Sequence, residues 1–337
     1  MAAIKKRNLV VIAVIILVIA IVVSSFVYLN SQKPYDGPIE SITLGTSLLE
    51  SSGPGFVAED KNFFIDNGLN VTFKYYDVGL NTVKGMQNGE VDMAWCAEYI
   101  LVGQVLGKQN IQTIASVAKT DLTSIIARRD REIENVSDLY GKKIGVVRGT
   151  VMEYFLGRFL ELNGLRISDV TLVNITLGQS ADLVINGILD AVVSFPPYTE
   201  TARQQLGDNA VGWSIQSRQE IYGLITCRAD WIPQHQEVVK RFLNAISQTE
   251  DYMIQHPDEA KAIVQKRMNY TSDYMAAVWS RNDFSLSLDQ TLIVAMENEA
   301  RWMIKNNITF ETEVPDFLNY IYVEGLNSIK PASVDIG

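Results

Sequence analysis

The chain has 337 residues, 47% of them apolar and 20% charged, with a formal net charge of −10. This composition excludes a disordered, collagen-like or coiled-coil protein. With only 29 Lys+Arg, it also lacks the basic face that nucleic-acid phosphates require. Two cysteines (Cys96, Cys227) and two histidines (His235, His256) form no CxxC and no HExxH. A disulfide framework and a zinc set are therefore excluded, while a single Cys96–Cys227 bridge stays open. At about 150 residues per domain, the length predicts two lobes.

Residues 9–29 are apolar apart from Ser24, Ser25 and Tyr28. As a helix they would span about 30 Å, the thickness of a bilayer core. Lys5, Lys6 and Arg7 precede them, so residues 1–8 are expected in the cytoplasm and everything after the span outside. The span is long for a cleaved signal and lacks a small-x-small site, which favours an uncleaved anchor. Residues 30–38, polar with two prolines, read as a tether. Five Asn-x-Ser/Thr sequons, at Asn70, Asn135, Asn174, Asn269 and Asn307, permit surface glycosylation.

From Ile39 onward, strand-like and helix-like runs alternate. A strand is predicted over 42–46, a helix over 56–67, a strand over 69–76, a helix over 80–88, a strand over 91–95 and a helix over 99–107. This rhythm predicts an α/β chain with a mostly parallel sheet. It then repeats: Asn88-Gly89-Glu90-Val91-Asp92 returns as Asn186-Gly187-Ile188-Leu189-Asp190, and Asn67-Gly68-Leu69 as Asn163-Gly164-Leu165. In each copy a helix stops at Asn-Gly. Two related lobes follow, over 39–128 and 129–225, with crossovers near 128–132 and 222–228. Beyond Ile232 the pattern is helical, over 236–255, from Pro257, and over 274–279, 288–306 and 317–326. These helices, within 226–337, are expected to pack back on lobe 1.

Several segments in order resemble the extracytoplasmic solute-binding proteins of ABC importers, in the nitrate/sulfonate/taurine and thiamine-precursor group. They are Phe56 to Phe64 with Asn67 to Val71, Gln87 to Ala94, Val136 to Thr150, Leu189 to Tyr198, and Glu237 to Leu243 with His256 to Ala260. The resemblance implies a type II periplasmic-binding-protein-like fold, whose two lobes close over a small molecule and deliver it to a permease driven by a cytoplasmic ATPase. It implies a monomer that needs no cofactor. The solute is expected to be sulfonate-, taurine- or nitrate-like, or else an aminopyrimidine. A membrane-anchored sensory domain is the alternative of another class.

In open α/β sheets, ligands sit beyond the carboxyl ends of the strands, which selects four loops. Ser47, Glu50 and Ser51 follow the first strand; Glu50 reads either as an acceptor for an ammonium or ring N–H, or as a solvated carboxylate. Trp95, Cys96 and Glu98 come next, Trp95 offering a flat face and Glu98 standing at a helix start. Arg148, Gly149, Thr150 and Val151 join a strand to a helix whose free N–H groups suit an anion, although Thr150 would serve equally as an N-cap. Phe195 and Tyr198 flank Pro196-Pro197 as wall or core residues. Thr120, Asp121 and Tyr222 are added from their crossover positions. No Ser/His/Asp or Cys/His pairing is evident, so no catalytic residue is expected.

Overall fold

A computed structural model describes residues 35–217 and 219–336. The cytoplasmic segment 1–8, the anchor 9–29 and most of the tether 30–38 lie outside the described residues. Among the described residues no helix is long and apolar enough to cross a membrane.

The first lobe begins with β1 (Glu40–Thr46), α1 (Gly53–Asp60), α2 (Phe63–Asp66), β2 (Leu69–Tyr75), α3 (Gly79–Gln87), β3 (Met93–Ala97), α4 (Glu98–Leu106) and β4 (Gln112–Thr120). The single helix predicted over 56–67 is two, because Asn62 adopts a left-handed conformation (φ 62°) between them. Asn is among the few non-glycine residues that do so readily.

The chain then enters the second lobe: β5 (Ser124–Arg128), β6 (Lys143–Val146), α5 (Val151–Leu162), β7 (Thr171–Asn174), α6 (Ser180–Ile185), β8 (Ala191–Ser194), α7 (Tyr198–Leu206) and β9 (Ala210–Ser214). It returns through β10 (Ile221–Cys227). Both crossings fall earlier than the sequence suggested, between Thr120 and Ser124 and between Ser214 and Ile221. The reason is pairing: β5 runs antiparallel to β8 and β9 inside lobe 2, while β10 lies between β3 and β4 of lobe 1. Gln216 ties the two crossings together, accepting from Thr123 N (2.6 Å) and donating to Thr120 O (3.0 Å).

The strand orders β2-β1-β3-β10 and β7-β6-β8-β5 are the same arrangement made twice, three parallel strands beside one antiparallel strand. The sequence repeat has a physical role in it. Gly89 and Gly187 stop their helices with φ of +74° and +70°, a conformation costly for residues with a Cβ. The aspartates that follow then act alike: Asp92 Oδ2 accepts from Thr43 N (2.7 Å) and Asp190 Oδ2 from Lys143 N (2.8 Å). Each pins the incoming strand to its parallel neighbour.

The tail comprises α8 (Gln236–Gln255), α9 (Pro257–Met268), α10 (Ser272–Trp279), the short β11 (Asn282–Asp283), β12 (Leu288–Asp289), α11 (Gln290–Lys305), α12 (Val323–Ile329) and β13 (Val334–Asp335). Along α8, Val238, Val239, Phe242, Leu243, Ala245, Ile246 and Met253 are buried at helical spacing. Phe242 stacks on Phe64 of lobe 1 at 5.4 Å. Arg241 donates to Gly68 O (3.0 Å) and Glu40 Oε1 (2.6 Å) with its guanidinium 4.6 Å from the Tyr35 ring centroid. On the other side, α11 packs against α4 of lobe 1 and reaches lobe 2, where Trp302 fills the space a side chain at Gly157 would need. Tyr154 of α5 meets Tyr99 (5.9 Å) and Trp302 (5.5 Å) at this seam.

Candidate functional site

The carboxyl ends of β1, β3 and β4 and the amino ends of β10 and α5 converge on one cavity. Ser47, Glu50, Ser51, Trp95, Cys96, Thr120, Thr150, Val151, Phe195 and Tyr222 all line it. Leu122, Thr123, Met152, Ile221 and Asn282 complete much of the wall, so both lobes and the tail contribute.

The lining is apolar in the main, which gives its few polar groups their meaning. Ser47 Oγ, Trp95 Nε1, Thr120 Oγ1, Thr123 Oγ1 and Asn282 Oδ1 are buried with no hydrogen-bond partner in the protein. Each such group costs about 1–3 kcal/mol, and native folds leave few. Five of them belong to residues that border this one cavity. Trp95 is held in position by two glycines: a Cβ on Gly55 would lie 3.1 Å from its Cζ3, and one on Gly223 would lie 3.2 Å from its Nε1.

Glu50 is the one acidic residue of the lining, and only 2% of it is exposed. It sits on the turn between β1 and α1, and its Oε1 accepts from Tyr274 Oη at 2.5 Å. Tyr270 packs edge-on against Tyr274 at 4.4 Å. Burial raises the Glu50 pKa, opposed by the Tyr274 hydrogen bond. Among the lining residues there is no Lys, Arg or His.

The helix start at α5 differs from its sequence reading. Arg148 points away from the cavity and pairs with Glu153 (2.9 Å), while Gly149 N donates to Glu153 Oε2 (2.8 Å). The helix thus carries its own anion in its first turn, at the position that reaches back over a helix start. Thr150 Oγ1 donates back to Val147 O (2.6 Å). Thr150, Val151 and Met152 themselves line the cavity.

Glu98 is also relocated. It is fully buried behind the cavity wall, where Oε2 accepts from Tyr222 N (3.0 Å). Its neighbour is Glu299 of α11, also fully buried, whose carboxyl is hydrogen-bonded to that of Glu98. Burial raises the Glu98 pKa to about 8, and burial with the adjacent Glu98 raises that of Glu299 well above the usual range. The two acids meet by keeping a proton between them. Asp121 lies on the crossover, bonded through its N–H to Arg281 O (3.3 Å) and paired with the Arg281 side chain (3.7 Å). Tyr198 stands farther out, in a hollow with Leu48, Leu49 and Asp77. Cys96 and Cys227 are free buried thiols and form no bridge.

Asn282, Tyr270 and Tyr274 were missed, since the sequence marks the tail only as helical packing. His235 stacks on Trp231 at 4.1 Å within the tail, and neither histidine lines the cavity.

Residues 51–260 match the family model described as NMT1/THI5 like. A binding protein of Brucella abortus is 23% identical over 213 residues, covering 62% of this chain and 66% of that protein, just under two thirds of its length. A Bacillus subtilis protein described as binding aliphatic sulfonates is 24% identical over 66% of this chain and 68% of its own. Among solved structures, the alkanesulfonate-binding protein SsuA of Xanthomonas axonopodis pv. citri, bound to MOPS, superposes with a TM-score of 0.74 at 12% identity, covering 85% of this chain and 99% of that one. The shared fold also serves catalysis: a desulfurization enzyme superposes with a TM-score of 0.62 at 14% identity, over 86% and 98% of the two chains. With 210 matched positions, about three fifths of its length, the chain belongs to the NMT1/THI5-like family.

Proposed function

We propose that this chain is the extracytoplasmic solute-binding component of an ABC importer. It captures a small anionic or zwitterionic organic solute of the sulfonate class between its lobes and presents it to the permease on closure. The observation that carries this reading is the largely apolar cavity at the strand ends, lined by residues of both lobes and the tail. Contacts from both lobes make ligand binding and lobe closure one equilibrium. The sulfonate-binding relatives support the class.

Binding is favoured over catalysis by the state of Cys96, the one thiol that lines the cavity. Burial pushes its thiol up to about 12, and its hydrogen-bond neighbour is Thr226 at 3.9 Å. A nucleophilic cysteine needs a depressed pKa and a base, and among the described residues neither stands beside it. The apolar stretch 9–29 supports a tether that keeps the protein at its permease; recovery from the membrane fraction checks it.

The test is thermal unfolding with taurine, alkanesulfonates, nitrate and aminopyrimidines. Saturation at a hundred times the dissociation constant adds about 2.7 kcal/mol, and a melting temperature unmoved by every compound refutes the solute class.

A further inference from the structure

The chain carries five Asn-x-Ser/Thr sequons, and the fold sorts them. All five acceptor asparagines are exposed, but three have their carboxamides engaged. Asn70 Nδ2 donates to Ser41 Oγ (3.3 Å), Asn135 caps the short helical turn that follows it, and Asn174 Oδ1 accepts from Arg148 N (3.1 Å). Asn269 and Asn307 take no part in bonds of this kind and share one geometry instead. Each stands just past the end of a helix, α9 or α11, in the left-handed conformation with φ of 54°. Two residues on, a threonine hydroxyl accepts a backbone N–H: Thr271 from Tyr274 N (3.3 Å) and Thr309 from Glu311 N (3.2 Å). Both sequons thus lie on tight surface turns, and neither asparagine lines the solute cavity. At Asn307 the turn also borders an apolar surface. Phe310 is fully exposed and Ile308 is exposed beside it, and both edge a groove with Leu80, Leu106 and Met303. Contiguous apolar surface of this kind marks a place where something packs.

We propose that Asn269 and Asn307 are N-glycosylation sites, and that the sugar on Asn307 packs over Ile308 and Phe310. The inference rests on the extracytoplasmic placement in the reading above, since sequons are acceptors in exported chains. The donor is an oligosaccharide linked to a lipid phosphate, presented by a membrane-bound transferase. Asn Nδ2 bonds to the anomeric carbon of the first sugar as the bond from that carbon to the phosphate oxygen breaks. The lipid phosphate leaves with the electron pair, and one amide proton passes to a base of the transferase. Nothing is oxidised or reduced. The acceptor amide keeps its carbonyl and one N–H, so the turn survives the modification. A sugar ring presents a face of C–H groups that suits an aromatic ring, and Phe310 stands three residues from the acceptor.

The experiment is glycopeptide mass spectrometry on the full-length protein purified from its own cells. A parallel sample of intact cells is treated with a membrane-impermeant amine label. Peptides containing Asn269 and Asn307 should carry an oligosaccharide mass, at higher occupancy than those containing Asn70, Asn135 and Asn174. Asn269→Gly and Asn307→Gly should each remove one sugar while keeping the turn, because glycine takes the left-handed conformation freely. Thr271→Asp is a second check at the first site, since it destroys the sequon but preserves the helix cap. Asn307→Gly should also raise self-association in analytical sedimentation, and adding Phe310→Ser should reverse the rise. A bare asparagine at either site, or higher occupancy at the other three, on a chain the label reaches overturns the inference and leaves the solute-binding reading intact. A chain the label does not reach removes both. Sedimentation unchanged by Asn307→Gly overturns the packing over Phe310.

Discussion

Glu299→Gln tests the shared proton at the heart of lobe 1. In the folded chain Glu98 ionises near pH 8 instead of 4.5, so the unfolded chain releases its proton first. Between those values the native state holds the extra proton, and stability falls as pH rises, by about 1.4 kcal/mol per pH unit. For Glu98 alone the loss is on the order of 5 kcal/mol by about pH 8, with a further loss for Glu299, whose pKa is also raised. Full stability is therefore found below about pH 4.5 for this pair. The amide that replaces the Glu299 carboxyl cannot ionise and donates to Glu98 Oε1 at every pH. It removes the Glu299 share of the loss and part of the Glu98 share. Near pH 5 the variant and the parent should melt within a degree or two of each other. At pH 8.5 the variant should be several kcal/mol more stable, a gap of about 5–10 °C at roughly 2 °C per kcal/mol. Differential scanning calorimetry across that range measures it. Melting curves that run parallel from pH 5 to 8.5 would show that the two acids are not coupled through burial.

Three further outcomes follow from packing and burial. Gly157→Ala puts a methyl group 2.2 Å from Trp302 Cζ2, so it should cost about 1–3 kcal/mol and shift tryptophan emission; an unchanged melting temperature would mean the seam yields freely. Arg241→Met keeps the aliphatic stem but removes the bonds to Gly68 O, which retains its bond from Glu40 N, and to the half-exposed Glu40 carboxylate, for a loss of about 1 kcal/mol by thermal melting; a neutral result would show that α8 docks by its apolar face alone. The native protein at pH 8 should resist iodoacetamide at both Cys96 and Cys227, since burial raises both thiols, and should take up two labels in guanidinium by mass spectrometry. Rapid labelling without denaturant contradicts that burial.

What the sequence disclosed was periodic or punctuated. The helix over 236–255 is written in its apolar spacing, and the Asn-Gly-x-x-Asp repeats mark the same joint in both lobes. The strand-end rule selected part of the cavity wall, Ser47, Glu50 and Trp95 among it, and the crossover positions added Thr120 and Tyr222. Side-chain direction at a junction was beyond it: Trp95 and Cys96 face the ligand space, while Glu98, at the first position of α4, faces a helix some 200 residues downstream. The anion site at Arg148 was over-read, although Glu153 stood three residues past Thr150, the spacing of a residue that folds back on a helix start. Asn282, Tyr270 and Tyr274 belong to elements with no local signal of function. Their role depends on where the tail lands, which no window of neighbouring residues contains.

The position of β10 has a consequence for biogenesis. Everything that lobe 2 pairs lies in one uninterrupted stretch, from Ser124 to Ser214, so it is complete before the rest of the chain has emerged. The first lobe is not: β3 and β4 wait on either side of an empty place until residue 227 arrives to fill it. During synthesis or export the earlier-made half therefore matures later, with two apolar strands unpaired in the interval. Truncation anywhere between the lobes should yield a soluble second half and an aggregating first one, and a chain delivered end-first has good reason to be escorted until its last third is through.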